Sequence, residues 1–417
     1  MIKLKGVILV TDKKHGLKLF AVLCTLCLMA SCSSADGASS TLASSGASAP
    51  QTSSANQSSQ TQSQVQSQIQ SQTQSEGEEP YPVYSGTRDP WLWPFSQDSI
   101  WNTPIGSDAV MEPAGFTMSA HYGFDRERFY ITTEDDPQLE IVIFKSGRWS
   151  DDEGDIKRHS GSKTYFPKGV TIPVSTGNEC TTILQPDGRT LVQLQPACYV
   201  NPLKNYINGY NRMNVDLYGK GTYGSHWGSG LSSIGGSIRL GELTSDEPIH
   251  HALKLNVWAV KWLYYNESTR SGYVWPADRH DSYATDEKGG YHGTNPNIQM
   301  GSLLALDGSL TVESLGIKTE VGKKLFYALQ NYGAYITDDS AWDIFSWCLE
   351  DGVVEEVEKK CGIELRSSYG IEASRVQLNY SNDMKQLITN LSVVTNNSET
   401  SVGGGGRPRV PLAPEFK

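Results

Sequence analysis

An abrupt change of composition near residue 80 constrains the fold of this chain more than any other feature. Residues 33–79 contain 15 serines, 10 glutamines and no aromatic residue, whereas all ten tryptophans and all twenty tyrosines lie after position 80. The Ser/Gln-rich segment has too little apolar surface to offset the entropy lost on ordering. We therefore predict a disordered spacer over 32–79, beginning with Cys32, and a folded domain over 80–402.

The N-terminal residues have the features of an export signal. Five lysines precede the apolar run Leu19–Ala30, which is too short to span a bilayer as a permanent helix. The boundary Leu28–Cys32 (LMASC) resembles a bacterial lipobox, which implies that residues 1–31 are a signal peptide and that Cys32 is lipidated. An ordinary cleaved signal followed by an incidental cysteine is the alternative. With the spacer, the arrangement resembles Gram-positive surface lipoproteins and predicts a protein on the extracellular face of the cell membrane.

The remainder of the chain is acidic. Residues 1–31 carry five basic side chains and one acidic side chain, so removing them changes the net charge from −11 to −15. Such a protein has no overall electrostatic attraction to nucleic acid or to anionic lipid. We expect no nucleic-acid partner and membrane contact only through the lipid anchor.

Four cysteines lie in the folded part of the chain: Cys180, Cys198, Cys348 and Cys361. An even number in an exported protein predicts two disulfides, and we favour the local pairs Cys180–Cys198 and Cys348–Cys361. Free buried thiols are the alternative. No CxxC or HxxxH spacing supports a metal site, and no phosphate-binding glycine motif supports a nucleotide, so we predict neither metal nor cofactor.

Short β-branched or aromatic runs alternate with glycine and proline turn signals along the folded part. The predicted strands are Leu139–Phe144, Thr181–Leu184, Thr190–Gln195, Ile238–Leu240, Ala252–Val260, Tyr273–Trp275 and Ala334–Thr337. The alternation of apolar and polar residues over 253–257 predicts a half-buried strand. Helical periodicity is confined to Thr319–Tyr332, with Thr319 as cap, Gly352–Lys360, with Gly362 as stop, and Ser381–Leu391, with Ser381 as cap. No tandem repeat is visible. The pattern predicts a mainly β, β-sandwich-like single domain with a few peripheral helices, and the run Gly403–Gly406 predicts a flexible tail over 403–417.

A glycine-rich segment over 216–243 is the first candidate for a functional site. Its eight glycines permit positive φ and close approach of the backbone to a ligand. The polar candidates within it are Asp216, Tyr223, His226, Arg239 and Glu242. A turn-rich structural loop with an Arg239–Glu242 ion pair is the alternative.

An aromatic loop over 273–292 is the second candidate. Aromatic rings beside acidic, basic and imidazole groups suit a sugar site, because C–H faces stack on rings while polar groups bind hydroxyls. The candidate substrate-binding residues are Trp275, Asp278, Arg279, His280, Tyr283 and His292. A structural loop with Trp275 and Tyr283 partly buried is the alternative.

Three segments carry a resemblance to a known family. They are the run 93–109 (WPFSQDSIWNTPIGSDA), the glycine-rich segment, and Met300–Leu306. Together they resemble a family of secreted bacterial proteins of unassigned activity, over most of residues 91–345. The resemblance implies an exported setting and no mechanism.

Three classes of function are compatible with these patterns: a polysaccharide-degrading enzyme, a non-catalytic glycan-binding lipoprotein, and a structural cell-wall protein. We favour the enzyme, and within it hydrolysis by paired carboxylates. Glu242 is the expected acid, because the apolar neighbours Leu240 and Leu243 favour its protonated form. Asp216 is the expected second carboxylate, and His226 the orienting group or base.

Elimination from a uronic acid is the alternative chemistry. It would use His226 or Tyr223 as base and Arg239 to neutralise the carboxylate of the substrate. The other polar side chains of the two segments would bind the substrate. If Glu242 has no catalytic role, Asp338, Asp339 and Asp343 are the next candidates.

Overall fold

The computed structural model describes residues 84–118, 121–145, 152–174, 177–367 and 373–416. The predicted signal peptide, the predicted lipidation site Cys32 and the predicted spacer lie outside these residues. The strands are β1 Met111–Pro113, β2 Tyr122–Ile131, β3 Gln138–Phe144, β4 Ile156–Tyr165, β5 Thr181–Leu184, β6 Thr190–Cys198, β7 Tyr206–Asp216, β8 Leu253–Val257, β9 Leu303–Ala305, β10 Ala334–Asp339, β11 Phe345–Glu350 and β12 Ser392–Val394. The helices are α1 Ala259–Trp262, α2 Val312–Leu315, α3 Glu320–Asn331, α4 Val353–Cys361 and α5 Arg375–Thr389.

One long strand, β2, joins two groups of strands. Its first half pairs in parallel with β11, and its second half pairs in parallel with β5. The hydrogen-bonded order is β1-β12-β9-β10-β8-β11-β2-β5-β6-β7-β3-β4, so the strands form one mixed set. The prediction of a mainly β, sandwich-like domain with few helices is confirmed, and the described residues belong to one compact unit.

Most predicted strands form, and two do not. Ile238 and Tyr273 make single bridges, to Leu349 and Met300, without extending into strands. The predicted strand Ala252–Val260 is shorter as β8, because α1 begins at Ala259.

Strand β8 is buried on both faces, contrary to the half-buried strand that its alternating sequence predicts. Leu253, Leu255 and Val257 are buried in the large apolar core, and Lys254 and Asn256 are buried too. β8 lies between β10 and β11, so both of its backbone edges are paired. Its polar face instead lines a charged interior.

The helices follow their capping residues. Thr319 caps α3 by accepting from the Gly322 amide, as predicted, and the Asp383 carboxylate holds the cap by accepting from the Thr319 amide and hydroxyl. α4 ends at Gly362 in a left-handed conformation. α5 begins behind a Ser374 cap, and the predicted start at Ser381 is wrong.

The C-terminal residues pack onto the domain, so the prediction of a flexible tail is wrong for the described residues 403–416. Gly403 has φ +66° and lies so close to the Pro104 carbonyl that an added Cβ would be 2.4 Å from its oxygen. The Arg409 guanidinium donates to the carbonyls of Leu306 (3.0 Å) and Gln330 (2.6 Å). The glycine run therefore provides close approach between backbones rather than flexibility.

We predict that Arg409→Ala lowers the free energy of unfolding by about 1–3 kcal/mol, because it leaves two carbonyls without their charged donor. Urea denaturation measures this. Arg407→Ala is the matched control, because its side chain is exposed and should change stability by less than about 0.5 kcal/mol. Equal, negligible effects of both substitutions would show that the segment contributes nothing to the fold.

Candidate active site

A buried ion pair lies where β2, β8 and the glycine-rich segment meet. The Lys254 ammonium donates to both carboxylate oxygens of Glu127 at 2.8 Å and to the Ser233 carbonyl at 2.7 Å. The two side chains are 0% and 1% exposed, so each charge depends on the other for compensation. Burial raises the pKa of Glu127, but Lys254 and then His226 outweigh it and hold that pKa below its usual value.

His226 connects this pair to a second carboxylate. Its Nε2 lies 3.0 Å from Glu127 Oε1, and its Nδ1 lies 3.2 Å from Asp338 Oδ2. Burial lowers the pKa of His226, whereas the adjacent Cys180 sulfur and the hydrogen bond to Asp338 raise it, to a value well above the usual one. A protonated ring donates from both nitrogens, so His226 binds both carboxylates at once.

Asp338 has a second fixed partner, Gln195 of β6. The Gln195 amide donates to Asp338 Oδ2 at 2.7 Å, and its carbonyl oxygen accepts from the Trp227 amide. Gln195 is fully buried, so one rigid side chain positions both a carboxylate and an exposed tryptophan.

Asp338 lines a cavity of about 670 Å³. Four carboxylates reach it from three parts of the chain: Asp125 of β2, Asp338 and Asp339 at the end of β10, and Asp281 of the aromatic loop. Its aromatic lining is Phe124, Tyr210, Trp227, Tyr283 and Trp342. Trp227 and Trp342 are 36% and 44% exposed, so their ring faces are accessible to a ligand.

Two of these carboxyl groups have strongly shifted pKa values. Burial, reinforced by the charge of Asp338, raises the pKa of Asp281 to about 7, even though the Tyr291 hydroxyl donates to it at 2.8 Å. Burial likewise raises the pKa of Asp125 to about 6, with a hydrogen bond from Asn256 acting in the opposite direction. Such shifts in a cleft are typical of general acids.

Asp281 and Asp338 face each other across Gly228. A Cβ at Gly228 would lie 2.7 Å from Asp338 Oδ1 and 3.3 Å from Asp281 Oδ2. The two oxygens are therefore at most about 6 Å apart. This upper limit includes the 5–5.5 Å separation of carboxyl groups in retaining glycosidases and excludes most of the 6.5–9.5 Å range of inverting ones. Any side chain at position 228 would fill the gap between them.

Of the first-choice site residues, His226 and Tyr283 belong to this centre. Of the next candidates after Glu242, Asp338 and Asp339 line the cavity, whereas Asp343 pairs with Lys261 and is not part of the lining. The Tyr283 hydroxyl donates to Asp339 Oδ2 at 2.9 Å. Asp278 and Arg279 pair with each other at 2.6 Å, with the guanidinium 5.9 Å from the Trp227 ring centre. They lie beside the centre rather than in it.

Asp216, Tyr223 and Trp275 lie together elsewhere, in the wall of a cavity of about 430 Å³. Asp216 is bound there by Arg189 at 2.6 Å. His280 packs against the rings of Tyr265, Tyr273 and Tyr291. His292 is exposed and forms a bridge with Tyr264.

Glu242 and Arg239 take structural roles. The Glu242 carboxylate accepts from the backbone amide of Arg239 at 2.6 Å and contacts His251 Nε2 at 3.0 Å. The Arg239 guanidinium binds Glu350 at 2.8 Å, so the expected pairing of the Arg239 and Glu242 side chains is replaced by two other contacts. Asp216 lines the 430 Å³ cavity, and Glu242 is not part of that lining.

The sequence analysis missed Glu127, Lys254, Asp125 and Asp281. A signal was present in two of the strands. Polar residues recur two positions apart, as Asp125 and Glu127 in β2 and as Lys254 and Asn256 in β8, and residues at that spacing share a face. The strand sequences do not indicate whether that face points inward.

The predicted disulfides Cys180–Cys198 and Cys348–Cys361 are wrong, because no disulfide joins any of the four described cysteines. The β5–β6 register pairs Thr181 with Leu194, which offsets Cys180 from Cys198 by three positions, or roughly 10 Å along the strand, beyond the 7 Å limit for a disulfide. Cys180 instead contacts His226 Nδ1 at 3.6 Å. Cys348 is buried on β11, whereas Cys361 is only partly buried at the end of α4.

Glu127, Cys180 and His226 place potential metal-ligand atoms within 4.8 Å of one another. The Lys254 ammonium already lies 2.8 Å from the Glu127 oxygens and 3.1 Å from His226 Nε2. The Lys254 ammonium therefore lies where a metal ion would bind. Glu127, Cys180 and His226 do not fit a metal ion in this arrangement.

Comparison of the chain with protein-family models, with curated proteins and with solved structures found no match. Among the helices that the structure describes, none has the length and apolar character needed to cross a membrane.

We predict that Lys254→Met destabilises the domain by about 3–5 kcal/mol, because it leaves the Glu127 carboxylate buried without its ammonium. The double variant Lys254→Met/Glu127→Gln should recover much of this loss. Urea denaturation of all the variants gives the comparison.

Lys261→Met is the matched control, since its pair with Asp343 is about 30% exposed on both sides and should contribute at most about 1 kcal/mol. Similar losses in Lys254→Met and Lys261→Met would contradict the central role of the buried pair.

Proposed function

We propose that the domain is a glycoside hydrolase that cleaves an extracellular polysaccharide, with Asp281 as general acid and Asp338 as nucleophile. The observation that carries this proposal is the facing pair of carboxyl groups, at most about 6 Å apart on the wall of one large cavity. A separation this short leaves little room for a water molecule between substrate and carboxylate, and so favours the retaining mechanism.

The protonation state of Asp281 supports its role as general acid. Asp281, with a pKa of about 7, retains its proton in mildly acidic solution and can donate it to a leaving-group oxygen. Asp338 accepts hydrogen bonds from Gln195 and His226 at Oδ2. Its Oδ1 accepts from the Asp339 amide at 3.0 Å and lies beside Gly228, on the side where Asp281 approaches. The exposed faces of Trp227 and Trp342 provide stacking surfaces for the sugar rings on either side.

The lyase that the sequence also suggested has less support. Its residues do not converge, because Tyr223 lines the 430 Å³ cavity and Arg239 is bound to Glu350. His226 is 1% exposed and bound on both ring nitrogens. A non-catalytic glycan-binding protein remains the second candidate, since the aromatic lining alone would serve it.

We predict that Asp281→Asn and Asp338→Asn each reduce turnover by 10²-fold or more, on the order of the contribution of acid–base or nucleophilic catalysis. The measurement is release of reducing ends across a polysaccharide panel, with ultraviolet absorbance recorded to detect unsaturated products. Wild-type activity should fall as the pH rises through about 7, because Asp281 then loses its proton. The residual activity of Asp281→Asn should not show this fall.

Asp343→Asn is the control for carboxylate loss, because its side chain pairs with Lys261 and is not part of the cavity lining.

Unfolding is not expected in Asp281→Asn. A raised folded-state pKa means that ionisation of Asp281 costs stability as the pH rises from about 4 to about 7, and the amide removes that cost. Unsaturated products would favour elimination. Binding of a polysaccharide without any product would favour the hypothesis of a non-catalytic glycan-binding protein.

We also propose that the protein is anchored to the extracellular face of the membrane by a lipid on Cys32. The support is the basic start, the short apolar run and the LMASC boundary. Cys32→Ser is expected to move the protein from the membrane fraction into the medium or to leave it as unprocessed precursor. Fractionation and immunoblotting measure this, and processed, membrane-bound Cys32→Ser protein would contradict the anchor.

A further inference from the structure

A second large cavity adjoins the acidic one and has the opposite charge. Its volume is about 560 Å³, and its walls come from β3, β4 and β7. Four basic or imidazole side chains line it: Lys157, Arg158, His159 and Arg212. No acidic residue belongs to the lining, although the net charge of the chain is −11.

The cations of this cavity are not neutralised by the protein. Arg212 donates to the Ser162 hydroxyl at 2.7 Å and to the Asn214 side chain at 3.3 Å, which are neutral partners. The single carboxylate contact is from Glu140 to His159 at 3.0 Å. Within the described part of the chain, no carboxylate pairs with Lys157, Arg158 or Arg212, so three positive charges remain for a ligand.

Two aromatic residues belong to both cavities. Tyr210 and Trp227 line the acidic cavity and the cationic cavity alike, with their rings packed edge to face at 5.6 Å. Trp227 follows His226 in the chain, and Gln195 fixes its backbone beside Asp338. A glycan chain that stacks on Trp227 would therefore lie at the boundary between the two cavities.

We propose that the cationic cavity is a subsite for an anionic sugar unit, so that the substrate is a polysaccharide bearing carboxylate, sulfate or phosphate groups. This inference rests on the proposed hydrolase function of the adjoining cavity. Guanidinium and ammonium groups bind such anions by charge-assisted hydrogen bonds. The cationic cavity also offsets the repulsion that the four aspartates would exert on a polyanion, and protonated Asp281 adds no charge below pH 7.

The test measures binding and cleavage separately. Binding is measured by calorimetry in the Asp281→Asn background, which prevents turnover, using a polyuronate and its fully methyl-esterified form as probes with the same backbone and different charge. A sulfated glycosaminoglycan and a polyol-phosphate polymer distinguish the possible sources of the anion. We expect affinity for one of the three anionic polymers to fall by about tenfold or more in Arg158→Ala and in Arg212→Ala, together with a weaker dependence on salt.

Lys163→Ala is the matched control, because Lys163 is exposed on β4 yet lies outside the cavity lining. Arg158→Lys should restore part of the affinity, which a purely structural role would not predict, and thermal melting confirms that the variants are folded. Wild-type affinity in both alanine variants, or a preference for neutral polymers, would overturn the subsite. Charge-dependent binding without any cleavage by the wild-type protein would instead contradict the hydrolase and leave the anionic subsite supported.

Discussion

The buried ion pair between Lys254 and Glu127 is the interaction around which the rest of the domain is organised. An ammonium in the interior must be surrounded by acceptors, and Lys254 takes them from β2 and from the Ser232 and Ser233 carbonyls of the glycine-rich segment. That requirement holds the segment against β8. His226, in the same segment, is thereby placed between Glu127 and Asp338.

The main effect of the ion pair is to fix the positions of the side chains around it rather than to stabilise the fold. Buried ion pairs seldom exceed the contribution of well-packed apolar residues, but they permit few alternative arrangements, because a misplaced partner leaves an unpaired charge. Here the series Lys254, Glu127, His226 and Asp338 alternates positive and negative groups when His226 is protonated. It ends at the cavity wall, where Asp338 Oδ1 faces Asp281 across Gly228. The interior network thus orients the carboxylate to which we assign nucleophilic attack.

The surface beside this network has an ordered distribution of charge. Carboxyl groups cluster in one cavity, basic groups in the next, and Tyr210 and Trp227 lie between them. The chain has a net charge of −11, so its overall charge gives no indication of the cationic cavity. Local placement of a few side chains decides which ligands such a surface attracts.

Local patterns in the sequence were sufficient for five of the twelve strands and for the ends of some helices. The alternation and turn signals predicted β3, β5, β6, β8 and β10, and the caps Thr319 and Gly362 marked one end of α3 and of α4, because propensity and capping depend on residues a few positions apart. The glycine-rich segment was also predicted to contribute to a site, and it contains His226, which contacts Asp338.

Only the tertiary structure decided how these elements combine. It showed that the polar face of β8 points inward, that the β5–β6 register separates Cys180 from Cys198, and that residues 403–416 pack onto the domain. The central contacts join residues 127 positions apart, from Lys254 to Glu127, and 112 positions apart, from His226 to Asp338. Pairings over such separations are set by strand order and register, which depend on the whole chain. The residues next to Lys254 or His226 in the sequence therefore do not identify the partner of either side chain.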